Sequence, residues 1–249
     1  MLRLRRSEAI YVNALGGLLI VIFCVTAEEP ARKWPIGKET TYITEPLDDE
    51  GYIDYETALN DRLSKGVTPE KNANVLIWKA LGPRPEGGDG MPAAYFKRLG
   101  IEQPPDEGSY FINLRRFAKT QLEFNPDQVD LLDDQAEVAR QRPWSPKDNP
   151  NLVTWLSSNE KPLALIIEAT SRPDYFNPLI SGRGPKGRNG LIGALLPTIS
   201  SCRAVANALV TRAMLRIQEN QFDEAWKDLL ACHRLSRLIS RGGTLEVAH

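Results

Sequence analysis

The last third of the sequence contains two long segments with helical periodicity, and they restrict the possible fold more than any other feature. The segments run from Leu191 to Glu219, with a kink predicted at Pro197, and from Phe222 to Ser240. In both, apolar residues recur at intervals of three and four, the spacing of one helix face. Only Asn220 and Gln221 connect them, so we predict an antiparallel helical hairpin.

Helix start and stop signals recur through the middle of the chain. Asn125-Pro126 predicts a helix through Arg140, because a capping amide precedes a proline at the first helical position. Thr68-Pro69 predicts another helix in the same way, ended by Gly82-Pro83. Further helices are predicted over Asp54–Leu63, Pro92–Leu99, Tyr110–Phe124, Leu152–Asn159 and Leu163–Thr170. Tyr110–Phe124 and Leu163–Thr170 are short or mixed enough that a strand remains the alternative.

Signals for β-structure are scarce by comparison. The sequence shows no alternating strands joined by Asn-Gly turns and no series of strands alternating with helices. The segment from Pro173 to Asn189 is predicted as a loop. We therefore predict an all-α, or mainly α, fold of helical hairpins with long irregular loops.

The N-terminus has the three parts of an export signal. Arg3, Arg5 and Arg6 precede an apolar run from Ile10 to Ala27, which ends in small residues and opens into charge. Cleavage after Ala27 would release the protein, whereas an uncleaved run would anchor it in the inner membrane. A chance apolar N-terminus is the third alternative. We predict export to the periplasm or cell envelope, with residues 1–27 as the signal peptide or N-terminal anchor. If the segment is not cleaved, residues 10–27 would anchor the chain in the inner membrane.

The remaining chain divides by composition. Residues 28–50 are polar, contain three prolines and have no sustained period, so they are predicted to be a spacer. Residues 51–249 are predicted to form the helical domain, with an internal boundary at the proline-rich segment 142–150. The formal net charge of −1 shows no bias towards nucleic acid, and we expect no nucleic-acid partner.

Export would permit oxidation of Cys202 and Cys232, both on the predicted hairpin. In a simple hairpin, Cys232 faces residues near position 210, about 8 residues or ~12 Å along the axis from Cys202. A disulfide needs Cα atoms within ~7 Å of each other. We predict two separate, buried thiols.

A glycine-rich segment is a candidate motif for binding a phosphate. Gly182 to Gly187 matches the spacing G-x-G-x-x-G, but no strand leads into it and no suitably placed acid follows. We interpret it as a basic surface loop and predict no cofactor. If the loop does bind an anion, the contacts would come from Arg183, Lys186 and Arg188.

Acidic residues recur at helical spacing after Asn125, where they are Asp127, Asp130, Asp133, Asp134 and Glu137. Two inward carboxylates could act as acid and base, but one would need a pKa raised by burial. We interpret the set as a solvated acidic helix face.

Few residues are available for other catalytic or metal sites. The only histidines are His233 and His249, and the sequence has neither a Cys-x-x-Cys pair nor a G-x-S-x-G motif. We therefore expect no catalytic residue and no metal site.

Three tryptophans, Trp78, Trp155 and Trp226, lie on apolar helix faces. Stacking on a carbohydrate is one interpretation, but we predict that all three pack in the core, where large aromatic residues are mostly buried.

The segment Asn220 to Trp226, after one apolar helix and before another, resembles the middle of a tetratricopeptide-type hairpin. The resemblance implies that Ala213, Ala225 and Cys232 are the small positions of close helix approach. It also implies that Leu209, Phe222 and Leu229 fill the gap between helices. The match departs from the family at Asn220, in place of a turn glycine, at Arg216, in place of an aromatic residue, and in lacking a closing proline near Arg237.

The whole chain also resembles exported bacterial proteins of unknown function that share the stretches KETTYIT, NANVLIWKALGP and DEAWKDLLACHRL. That resemblance implies no activity. The first functional hypothesis is an exported helical scaffold that binds another polypeptide. The alternative is an envelope hydrolase that uses carboxylates in a helical cleft.

Overall fold

The described part of the chain is mainly helical, which confirms the predicted fold class. The computed structural model describes residues 36–85, 87, 90–183, 189–194 and 198–241, and of residues 181–183 and 189–194 it describes the backbone only. Within these ranges the helices are α1 (Tyr55–Leu63), α2 (Ala73–Leu81), α3 (Ala93–Leu99), α4 (Leu114–Thr120), α5 (Pro126–Gln141), α6 (Pro150–Ser158), α7 (Glu160–Ala169), α8 (Ile199–Gln218) and α9 (Phe222–Ser240). A short antiparallel hairpin of β1 (Ser181–Arg183) and β2 (Asn189–Ala194) precedes α8.

The chain divides into two compact units, Met1–Tyr55 and Glu56–His249. In the first unit, the described residues include a turn organised by Asp48. Its Oδ1 accepts the backbone N–H groups of Glu50 and Tyr52 at 3.0 and 2.8 Å. The turn brings Leu47 and Ile53 together as an isolated antiparallel bridge.

The core of the second unit lies around α8, which packs against α5 and α9. The interior of this cluster consists mainly of aliphatic and small side chains, with three buried aromatic residues. The aliphatic members include Val129, Leu132, Val205, Leu209 and Leu235, and the aromatic members are Phe117, Trp144 and Trp155. Helix α7 packs along α2 and also contacts α9. The C-terminal hairpin is therefore joined to earlier helices on more than one side.

A second buried cluster joins α2 and α3 through three aromatic rings. Trp78, Tyr95 and Phe96 meet edge to face, with ring centroids 5.0 to 5.4 Å apart. The Trp78 Nε1–H donates to the Tyr95 hydroxyl at 2.8 Å, and that hydroxyl donates to Asn177 Oδ1 at 2.6 Å. Burial raises the pKa of Tyr95 well above its ordinary value, so the hydroxyl keeps its proton for this contact.

Buried asparagines hold extended segments against the helices. Asn60 pairs with both backbone groups of Leu179, at 2.8 Å each, and Asn72 pairs with those of Phe176, at 3.0 and 3.1 Å. Each amide supplies one donor and one acceptor, as a neighbouring strand would. These contacts satisfy the backbone of the segment that follows α7 and fix its path across α1 and α2.

Local capping signals predicted several helices correctly. Asn125 and Gln128 form the reciprocal capping box of α5, and Gly100 ends α3 in the left-handed conformation. The residues predicted as 163–170 lie almost entirely in α7, so the helix is confirmed over the strand alternative. Of Tyr110–Phe124, only Leu114–Thr120 is helical, because Asn113 caps the Arg116 N–H.

The predicted start of α2 is wrong. Thr68 and Pro69 belong to a turn in which the Thr68 carbonyl accepts the N–H groups of Lys71 and Asn72. The helix begins at Ala73, where the Asn72 side chain accepts the Asn74 N–H at 3.0 Å. Because Asn72 also pairs with distant Phe176, a long-range contact selected this cap over the local threonine-proline signal.

The predicted helix from Leu191 is also wrong at its start, because Leu191 to Ala194 lie in β2 and α8 begins at Ile199. Gly190 and Gly193 flank the two apolar residues, and glycine disfavours a helix interior. A run this short cannot reveal its period. The kink predicted at Pro197 falls outside the described residues.

Candidate interaction site

The turn between α8 and α9 reverses the chain within three residues. Asn220 has a φ of 59°, which places it in the left-handed region. The Gln221 N–H donates to the Arg216 carbonyl at 2.8 Å, and the Asn220 N–H donates to the Ile217 carbonyl at 3.1 Å. These two bonds define the Schellman motif, and asparagine is the residue after glycine that best tolerates its left-handed position.

Helices α8 and α9 pack antiparallel, as predicted, and a buried charge cluster lies between them. Asp228 is 0% exposed. Its Oδ2 accepts Arg212 Nε at 3.0 Å and Arg216 Nη1 at 2.6 Å, while Oδ1 accepts Arg212 Nη2 at 2.6 Å. Arg216 Nη1 also donates to the Glu224 carbonyl at 3.1 Å. Arg216, which departs from the tetratricopeptide pattern, thus has a defined structural role.

Small side chains allow this close approach of the two helices. Ala213 on α8 and Ala225 and Ala231 on α9 are buried. Cys202 and Cys232 are free thiols; Cys202 is buried, as predicted, whereas Cys232 is only partly buried. Partial burial raises the pKa of the Cys232 thiol, so its reactive thiolate is disfavoured.

The opposite face of α9 presents two aromatic side chains to solvent. Phe222 is 59% exposed and Trp226 is 64% exposed. They lie four residues apart and therefore occupy one helix face. The core prediction is confirmed for Trp78 and Trp155, at 0% and 2% exposed, but is wrong for Trp226. The exposure of Phe222 likewise contradicts the gap-filling position that the tetratricopeptide resemblance implies for it. The buried side of α9 is instead made of Ala225, Asp228, Ala231, Leu235 and Leu238.

Acidic residues lie close to this aromatic pair in the sequence. Glu219 and Asp223 are exposed beside it. Glu224 is paired with Lys227, whose Nζ lies 2.5 Å from Glu224 Oε1 and holds the pKa of that carboxyl below its ordinary value. Glu219 and Asp223 therefore give this end of α9 a negative charge.

The acidic face predicted on α5 is solvated, as expected. Asp127, Asp130, Asp134 and Glu137 are exposed and Asp133 is half-buried. Arg115 reaches from α4 to both Asp130 and Asp133, at 2.9 and 2.5 Å. Hydrogen bonds from Gln141 and Arg140 lower the pKa of Glu137, whereas an acid catalyst needs a raised one.

The cavity beside this face has a volume of about 570 Å³, and Asp133, Asp134, Glu137, Arg115 and Arg140 are among the residues that line it. Arg115 is paired with Asp133, and Arg140 with Glu137. The pairs leave little net charge to act on a substrate.

The larger cavity, of about 720 Å³, lies between the loops around Pro83 and Tyr110. The Tyr110 ring packs over Gly82, where a Cβ would come within 2.7 Å of it. Arg84 and Asp106 pair across the surface at 3.3 Å, with both side chains more than half exposed. The lining contains two arginines and two acids, so neither sign of charge predominates.

The described residues on either side of the glycine-rich segment do not match the surroundings of a dinucleotide motif. Gly182 lies within β1, and β2 follows the segment, whereas the dinucleotide motif leads into a helix. The side chain of Arg183, and Lys186 and Arg188 as a whole, lie outside what the structure describes. Their contact with an anion stays a prediction.

The two histidines are the remaining sequence candidates. His233 is exposed on α9, and His249 lies outside the described residues. In the described ranges, no group of three or more histidine, cysteine, aspartate or glutamate residues could hold a metal ion. Among the helices described, none is long and apolar enough to cross a membrane, and the predicted anchor at residues 10–27 lies outside those ranges.

Comparison of the chain with known protein families, with curated protein sequences and with solved structures finds no match.

Proposed function

We propose that this chain is an exported helical scaffold of the bacterial envelope, and that it binds another polypeptide through the aromatic face of α9. The observation that carries the proposal is the joint exposure of Phe222 and Trp226 on one helix face. Export rests on the basic, apolar and small residues at the N-terminus.

Exposed aromatic side chains of this size have a cost in water that binding would remove. Tryptophan is enriched among the residues that dominate binding energy at protein interfaces. Two aromatic residues spaced four apart also match the anchors that a helix places into a partner's groove. The charge cluster at Asp228 and the turn at Asn220 hold this face in place before binding, which reduces the entropy lost on association.

The surrounding charge indicates the chemistry of the partner. Because Glu219 and Asp223 lie exposed beside the aromatic pair, a suitable partner presents apolar side chains flanked by lysine or arginine. A tetratricopeptide-like hairpin is the architecture we propose for α8 and α9, with Ala213 and Ala225 at the close approach. The hydrolase alternative gains no support from α5, whose acids are exposed or paired with arginines.

The test starts from capture of partners from the native envelope fraction with the full chain. A candidate identified by mass spectrometry is then purified, and its affinity is measured by calorimetry for the wild-type chain and for Trp226→Ala. We expect Trp226→Ala to weaken binding by about tenfold or more, equivalent to about 1.4 kcal/mol. Asp223→Lys should weaken binding of the same partner to a smaller extent.

The chain offers a matched control on another helix. Leu131 and Val138 on α5 are also exposed apolar residues, at 59% and 45%. The variant L131A/V138A should bind the partner as the wild type does. Equal affinities of the wild-type chain and Trp226→Ala for every purified partner would exclude the aromatic face as the binding site.

A further inference from the structure

A basic cavity lies where the ends of α7 and α9 come together. Its volume is about 340 Å³, and four arginines line it: Arg172, Arg234, Arg237 and Arg241. Buried Leu238 contributes to the lining, and no carboxylate does. The cavities of about 570 and 720 Å³, by contrast, are each lined by both acidic and basic side chains.

The spacing of the arginines explains why they converge. Arg234, Arg237 and Arg241 are separated by three and four residues, so they project from one side of the last turns of α9. Arg172 does not belong to α9. It lies three residues beyond Ala169, where α7 ends. The contact between α7 and α9 brings the two sets to the same cavity.

Arg172 is held in place by the protein. Its Nη1 donates to the carbonyls of Pro69 and Asn72, at 2.9 Å each. The hydroxyls of Thr170 and Ser171 donate to the carbonyls of Ile167 and Glu168. Recognition of a ligand would therefore fall to the guanidinium groups and not to these hydroxyls.

In the described part of the chain, no carboxylate lines this cavity to balance its positive charge. In the part of the chain that the structure describes, Arg234, Arg237 and Arg241 make no ion pair with a carboxylate. Glu70 is the acid that interacts with Arg172, and its pKa is lowered mainly by backbone and Thr68 hydrogen bonds, with a smaller contribution from Arg172. The negative ends of the α7 and α9 dipoles offset part of the repulsion among the arginines.

Favourable placement at helix ends accounts for single arginines, but it does not account for four of them around one cavity. Four guanidinium groups around one cavity repel one another, and a bound anion would relieve that repulsion. We propose that this cavity binds a doubly charged phosphate group. Guanidinium groups match phosphate oxygens in paired hydrogen bonds, and the cavity is large enough for a phosphate with a small substituent.

The phosphate could belong to a soluble phosphate ester or to a lipid headgroup, and two probes separate these sources. The full chain is titrated with inorganic pyrophosphate by calorimetry. In parallel, its sedimentation with vesicles of phosphatidic acid in phosphatidylcholine is compared with vesicles of phosphatidylcholine alone. The test variant is R234Q/R237Q, and the control is R142Q/R203Q, which removes the same charge from exposed arginines elsewhere.

We expect one of the probes to bind the wild type and the control alike and to bind R234Q/R237Q about tenfold more weakly or worse. The probe that responds identifies the source of the phosphate. Thermal unfolding verifies that each variant is folded, and the single variant Arg241→Gln gives a milder second measurement. The proposal fails if neither probe distinguishes the arginine variants from the control.

Discussion

Two arginine–aspartate clusters in this protein have opposite composition and opposite surroundings. Between α8 and α9, one aspartate, Asp228, is shared by Arg212 and Arg216 and is fully buried. Between α4 and α5, one arginine, Arg115, is shared by Asp130 and Asp133. The Arg115 side chain is 59% exposed and that of Asp130 is 66% exposed.

The difference in burial indicates on which of the two clusters the stability of the fold depends. A buried carboxylate loses its hydration, so it is tolerated only when several donors replace the lost water, as the two arginines do for Asp228. An exposed cluster keeps its water, and its attraction is screened by salt. The first cluster should therefore be essential to the hairpin, and the second should be close to dispensable.

Of the substitutions in the two clusters, Asp228→Ala should lower the free energy of unfolding the most. It leaves Arg212 and Arg216 without their carboxylate and opens space between the two helices. We expect the free energy of unfolding to fall by about 3 to 5 kcal/mol, measured by urea denaturation.

Asp130→Ala is the matched control for this measurement, and it should lower the free energy of unfolding by less than about 1 kcal/mol. If Asp228→Ala proves no more destabilising than Asp130→Ala, burial is not what distinguishes the clusters.

Whether a feature depends on neighbouring or on distant residues explains which parts of the fold the sequence could predict. The capping box at Asn125 and the ending of α3 at Gly100 depend on neighbouring residues, and both helices were predicted close to their observed bounds. The start of α2 depends on Asn72, which also pairs with Phe176 about a hundred residues away.

The candidate site was harder to predict for the same reason. The aromatic type of Trp226 indicated burial, but the side of α9 that faces α8 was decided by Ala225, Asp228 and Ala231. An aspartate on the inner side of a helix becomes intelligible only when its arginine partners on the neighbouring helix are known. The spacing of Arg234, Arg237 and Arg241 is visible in the sequence, but the sequence does not show that Arg172 meets them.

A substitution in the turn that joins α8 and α9 should have an intermediate effect on the free energy of unfolding. Asn220 has a φ of 59°, and an alanine there would bear the steric cost of the left-handed conformation. Asn220→Ala should lower the free energy of unfolding by about 1 to 2 kcal/mol in urea denaturation. Asn220→Gly should leave it unchanged or raise it slightly. Equal stabilities of the alanine and glycine variants would contradict the role assigned to this φ angle.

The smallest effect is expected from the exposed cluster itself. Arg115→Ala removes both contacts to α5, at 2.9 and 2.5 Å, yet the charges it leaves at Asp130 and Asp133 remain hydrated. The free energy of unfolding should fall by less than about 1 kcal/mol. The loss should shrink further when the salt concentration is raised from about 0.1 M to about 1 M, because the screening length falls from about 10 Å to about 3 Å. A loss that stays constant with salt would mean that Arg115 stabilises α4 and α5 by packing of its aliphatic stem, and the variant Arg115→Met separates that contribution from its charge.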